Sequence, residues 1–235
     1  MSLPTALSDR TLDRLVTALD LTAGADVPLT SQMSPEPVGR LRVLRGAGTG
    51  DARVGKVVAV SLVVPMIGLD SHMIFAFTPA GSAVPHFTLD AVATPAYHAM
   101  HLDLIPRVEL ATHLAYLDAC YLPLTEPLEQ AWTLDGLSAA DIGPRQKAMM
   151  SPWMLVCRAG EEAFEKLGQT VDTYLGHWLA LTEAGVPDPG DTDLAARDAA
   201  NRDNLFSPEV DPVWHQVTRL LGEEQSERVR GELLR

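Results

Sequence analysis

The segment His86-Phe87-Thr88-Leu89-Asp90 places a carboxylate within a run of strand-forming residues. Side chains two apart on a strand share a face, so His86, Thr88 and Asp90 point the same way. A carboxylate inside a covered sheet is costly unless it is paired or protonated, and a carboxyl group raised in pKa by such a setting is suited to donate protons. A solvent-exposed face, or a turn capped by Asp90, accounts for the same pattern without chemistry.

Four histidines, His72, His86, His98 and His101, fall between residues 72 and 101. Histidine and carboxylate on neighbouring strands suit acid/base catalysis or a metal site, and ordinary core or surface histidines suit the pattern as well. No His-x-His or His-Glu-x-x-His spacing supports metal. His101 and Asp103 share a face of the next strand and pair with the Asp90 strand in one register; a slip of one residue reverses this. Arg107, directly after Pro106, is either a bidentate carboxylate clamp or a solvated strand-end cation. Ser151-Pro152-Trp153 leads into a further strand that ends in Arg158. Asp198, with Asn201 and Arg202 one turn later, is either a functional acid or part of a helical ion-pair face. No Gly-x-Gly-x-x-Gly, P-loop or Gly-x-Ser-x-Gly sequence is present, so nucleotide-cofactor chemistry lacks a motif.

The elements that must position these residues follow from periodicity. Leu12, Leu15, Val16 and Leu19 define an amphipathic helix over 11–21. Residues 22–39, rich in Gly, Pro and Ser, read as a long surface loop or lid. Strands are predicted at 41–44, 54–64, 73–77, 87–93 and 99–105, joined by hairpin-sized spacers into an antiparallel meander. Helices are predicted from Leu110 to Leu117 and over 163–181, 194–205 and 213–221. Strands followed by helices imply an α+β domain, a single one over 1–235, with helices covering an antiparallel sheet.

The 235 residues carry a formal charge of −13, which disfavours a nucleic-acid partner because such binding rests on lysine and arginine neutralising phosphates. Residues 1–60 hold seven Lys/Arg against six Asp/Glu, whereas residues 151–235 hold eight against sixteen, so an acidic partner is expected nearer the first half. Cys120 and Cys157 lack metal or redox spacing and read as reduced core thiols. No leader and no membrane span is evident, and a cytoplasmic location is the expectation.

The order of these motifs resembles that of the superfamily of ferredoxin-dependent bilin reductases and red chlorophyll catabolite reductases. The likeness runs from about His72 to Leu234 through Pro85-His86-Phe87-Thr88-Leu89-Asp90, Leu102-Asp103-Leu104-Ile105-Pro106-Arg107, Tyr116 and Tyr121, Ser151-Pro152-Trp153-Met154-Leu155-Val156-Cys157-Arg158, and Arg197-Asp198 through Leu221-Gly222-Glu223-Glu224. The resemblance implies a three-layer α/β/α sandwich, a linear tetrapyrrole substrate, ferredoxin as external electron donor and no bound cofactor or metal. It implies Asp90 as proton donor or relay, Asp198 as a second acid facing the same pocket, and His72 as an active histidine. His86, Thr88, His101, Arg107, Arg158 and Asn201 are the remaining candidate substrate contacts. Because ferredoxin is acidic, Arg40, Arg42, Arg45, Arg53 and Lys56 are the candidate docking residues. Two other functions fit the same residues: a carrier that binds a tetrapyrrole or other large planar ligand without reducing it, and a metal-dependent enzyme using the histidines.

Overall fold

The computed structural model describes residues 1–46 and 53–235. Among the described residues eight antiparallel strands form one open sheet in the order β1-β2-β3-β4-β5-β6-β8-β7. They span Leu21–Ser31 (β1), Ser34–Gly46 (β2), Lys56–Val64 (β3), Leu69–Phe77 (β4), His86–Ala93 (β5), His98–Ile105 (β6), Leu137–Ala139 (β7) and Leu155–Ala159 (β8). The three-layer expectation holds, with a separate apolar core on each face of the sheet.

On one face lie α1 (Leu3–Leu19), α2 (Leu114–Cys120), α3 (Thr125–Trp132) and α5 (Glu161–Ala184). Helix α1 begins two turns before the apolar repeat that reveals it, because Ser2 accepts from Thr5 N and Pro4 fits the first turn. Helix α5 buries Phe164, Leu167, Val171, Tyr174 and Trp178 at the spacing of one helical stripe. Its Trp178 Nε1 donates to Pro85 O at 2.7 Å, which fixes the lead-in to β5. Both cysteine thiols are buried in this core, and burial pushes each up to about 12.

On the other face α6 (Leu194–Leu205), α7 (Val213–Leu221) and α8 (Glu223–Leu234) pack against Leu41, Val43, Val58, Val60, Phe75 and Phe77. A short α4 (Pro144–Lys147) precedes β8. The Asp193 side chain caps α6 by accepting from Ala196 N.

The expected loop at 22–39 is corrected: these residues form most of the β1–β2 hairpin. The prolines and glycines that suggest a loop have local roles in strands. Pro28 sits on the edge strand β1, where a missing N–H breaks no second ladder. Pro35 and Pro37 lie where β2 runs past the end of its pairing with β3, which starts at Gly39. Gly24 is the extra residue of a bulge between the pairs Ala23–Leu44 and Ala25–Val43. That bulge reverses the alternation, so Leu21 joins one core and Leu29 the other. At Gly39 any Cβ would stand 1.8 Å from Ser61 O, so only glycine lets β2 approach β3 there.

Candidate functional site

The register between β5 and β6 pairs Asp90 directly with His101 and Thr88 with Asp103. All four project from the face that carries α6, α7 and α8. Leu89 and Leu102 project from the opposite face into the core beneath α5. Asp90 and His101 border a cavity of about 300 Å³ between the sheet and the helices. The floor is Val60 and Leu62 of β3, Ser71, Met73 and Phe75 of β4, Val92 of β5 and Val156 of β8. The roof is Phe206, Asp211, Val213, Trp214 and Val217, with Ile142, Gln146 and Met150 closing one side. A mostly apolar cleft with a few convergent polar groups is the usual form of a small-molecule site.

Its polar groups come from three segments. Asp90 Oδ2 stands 3.3 Å from His101 Nδ1, with side-chain exposures of 31% and 12%. Asp211, between α6 and α7, accepts from Val213 N at 3.0 Å and from Gln146 Nε2 at 3.5 Å. Burial disfavours charge on His101, but its bond to Asp90 and the charges of Asp90, Asp103 and Asp211 outweigh this and raise its pKa. Burial also raises Asp211, reinforced by the charge of Asp90. Behind the cavity wall Asp103 is fully buried and accepts from Ser151 N at 2.9 Å and Ser151 Oγ at 2.5 Å. Burial pushes it up to about 6 despite His101 and those hydrogen bonds. Thr88 Oγ1 and His101 Nε2 are buried with no protein partner.

The expectation that Asp90 and Asp198 face one cleft is corrected. Asp198 lies in a separate buried cluster where β4 ends and β5 begins. Its Oδ1 is 2.7 Å from His86 Nε2, and its Oδ2 is 2.9 Å from Arg202 Nη2. His86 Nδ1 accepts from Thr78 N at 3.0 Å, so its proton sits on Nε2 and is donated to Asp198. Burial lowers His86 to about 4 although Asp198 favours its charged form. Burial disfavours the charge on Asp198, yet His86, Arg107 and Arg202 hold the carboxyl well below the usual range. Arg107 is 1% exposed and donates to Thr78 Oγ1, Pro79 O and Ala80 O. His86, Arg107 and Asp198 thus tie α6 to the sheet, and none of them borders the Asp90 cavity.

His72 is corrected in the same way. Strand alternation turns it to the α1 face, where its Nε2 meets Asp70 Oδ1 at 2.7 Å and Thr5 Oγ1 at 3.1 Å. Met73 takes the cavity position opposite Asp90 on β4. Arg158 is the exposed residue of the largely buried β8, with its guanidinium over the Tyr97 ring, and Asn201 is half-buried on α6; neither borders the cavity. Asp211 and Gln146 are the cavity groups that periodicity does not mark. Asp-Pro ahead of the α7 repeat signals a helix start, but not what the acid faces.

Among the docking candidates Lys56 is corrected. It is 4% exposed, and its ammonium donates to the carbonyl oxygens of Glu232 and Arg235 at the end of α8. Arg40 forms a two-point bridge to Asp26, Arg42 lies 3.8 Å from Asp9, and Arg53 donates to Ala18 O. Arg45 is exposed at the end of β2. Among the described residues no three or more His, Cys, Asp or Glu are gathered as a metal would require, and no helix is long and apolar enough to cross a membrane.

No protein-family model matches the chain. No curated protein matches it either. Among solved structures the fold matches that of phytochromobilin synthase from tomato, solved in complex with biliverdin, with a TM-score of 0.71 and 16% identity over 96% of this chain and 80% of that one. The likeness shows a shared fold.

Proposed function

We propose that this chain reduces a linear tetrapyrrole, a bilin or a chlorophyll catabolite, held in the cavity between the sheet and α6–α8. Single electrons come from ferredoxin, and Asp90 supplies protons. The observation that carries this reading is Asp90 itself, a partly covered acid on the floor of an apolar cleft, in a fold shared with an enzyme solved with biliverdin. Apolar walls suit a conjugated ring system, and acids beneath it suit pyrrole N–H donors.

In each reductive step one electron enters the bound ligand and the Asp90 O–H bond breaks as a bond from hydrogen to the ligand forms. Two such steps add two electrons and two protons. Asp211 faces the ligand from the roof as a second acid, the place that the resemblance gives to Asp198. Asp198 instead positions α6, and through it Leu205 and Phe206 at the cavity wall. Docking of an acidic ferredoxin falls to Arg40, Arg42, Arg45 and Arg53 on and beside the hairpin.

Biliverdin incubated with the protein, reduced ferredoxin and a regenerating system tests the proposal. Loss or shift of the bilin absorption band supports it. Binding with an unchanged spectrum after many equivalents of reduced ferredoxin points to a carrier instead.

A further inference from the structure

The cavity beneath α6 and α7 is acidic as well as apolar. Asp90 and Asp211 border it from floor and roof, and among the described residues no lysine or arginine lines it. Residues 47–52 contain neither type. His101 is the one lining group that takes on a positive charge near neutral pH, and Asp90 Oδ2 meets its ring at 3.3 Å, so that charge is matched within the pair. Asp211 accepts from Val213 N and Gln146 Nε2, and the charge of Asp90 raises its pKa beyond the effect of burial. Two arginines of the covering helices are engaged away from the cavity. Arg202 pairs with Asp198 at 2.9 Å, while Arg230 pairs with Glu227 and donates to Phe206 O at 2.9 Å. A carboxylate on a bound ligand therefore finds no counter-charge here, and its enclosure beside two acids is strongly disfavoured. An apolar ring edge or a pyrrole N–H meets no such opposition.

We infer that the cavity selects a linear tetrapyrrole whose side-chain carboxyl groups are neutral, as in an ester, over the same molecule as a free acid. This rests on the function proposed above and narrows its substrate class. Biliverdin, a diacid, binds with its carboxylates kept towards solvent, where water and salt screen them; its ester binds without that constraint. Val213 is the residue that sets the preference. It lines the cavity and is 44% exposed, so a side chain there reaches both the ligand and water. A lysine at this rim position would meet a ligand carboxylate, and valine offers it nothing.

Absorbance titrations of the full chain with biliverdin and with biliverdin dimethyl ester, at low and at physiological ionic strength, test this. At low ionic strength the ester should bind about tenfold more tightly than the diacid. Raising the ionic strength should strengthen binding of the diacid, by screening its repulsion from the acids, and leave the ester unchanged. Val213→Lys should strengthen binding of the diacid several-fold with little effect on the ester. Equal or tighter binding of the diacid at low ionic strength overturns the inference. So does a diacid affinity that falls as salt is added, the sign of a cation in contact with it, or a preference that a folded Val213→Lys leaves untouched. Binding of biliverdin without binding of the ester defeats this inference alone, whereas binding of neither defeats the proposed function with it.

Discussion

On one face of the sheet, His86, Asp198, Arg107 and Arg202 hold one another in a closed knot, whereas Asp90, His101 and Asp211 border a cavity. In the knot each partner is bound to another partner or to a backbone carbonyl, and Asp198 alone meets three basic groups. Its only orphaned side-chain atoms are the Nε atoms of the two arginines. At the cavity Asp90 is held by one imidazole, no basic side chain pairs with Asp211, which accepts from Val213 N and Gln146 Nε2, and the wall around them is mostly apolar. Ionisable groups that satisfy each other fix the fold, and those that converge on apolar space are available to a ligand. The two clusters therefore respond differently to the same kinds of substitution.

Removing Asp198 gives the largest effect on stability. Asp198→Ala leaves two buried guanidiniums without their carboxylate and should cost about 3–5 kcal/mol, read as a lower urea midpoint with an unchanged slope. A loss as small as that of an exposed ion pair would break the distinction between the clusters. The pH dependence comes next. His86 titrates near 4 in the folded protein against 6.5 ordinarily, so the folded state binds fewer protons between those values. Its contribution is full above about 6.5 and is lost as pH falls towards 4. Denaturation midpoints between pH 7 and 4 should fall, with a shallower fall in His86→Gln.

Only part of this contrast is legible in the sequence. Asp90 and His101 are readable because β5 and β6 alternate cleanly and a short spacer fixes a hairpin, which leaves their register as the single unknown. Asp198 is not, because its sequence context is the same for a buried tie and for a catalytic acid. Its partner His86 lies 112 residues away, and only the packing of α6 shows that they meet. Asp211 sits in irregular chain between Pro208 and Pro212, where no period marks a face. The hairpin of β1 and β2 is hidden because its prolines and glycines serve an edge, an overhang, a bulge and a close approach, all of which read locally as loop. Helix α8 is missed because it is mostly polar and buries only Ser226, Val229 and Leu233.

Two smaller effects sharpen the comparison. Asp90→Asn should change stability by under about 1 kcal/mol, because the partner lost is one partly covered pair and Asp211 is relieved of a neighbouring charge. Arg40→Gln, which removes the exposed bridge to Asp26, should cost about 0.2–1 kcal/mol in the same denaturation assay and sets the scale for a surface pair.

The central claim is that Asp90 acts on a ligand rather than on the fold, and turnover by Asp90→Asn tests it most directly. With biliverdin and reduced ferredoxin the parent protein should consume the bilin. The variant should bind it with similar affinity and turn it over about 10²- to 10⁴-fold more slowly. Equal turnover by parent and variant would contradict the account.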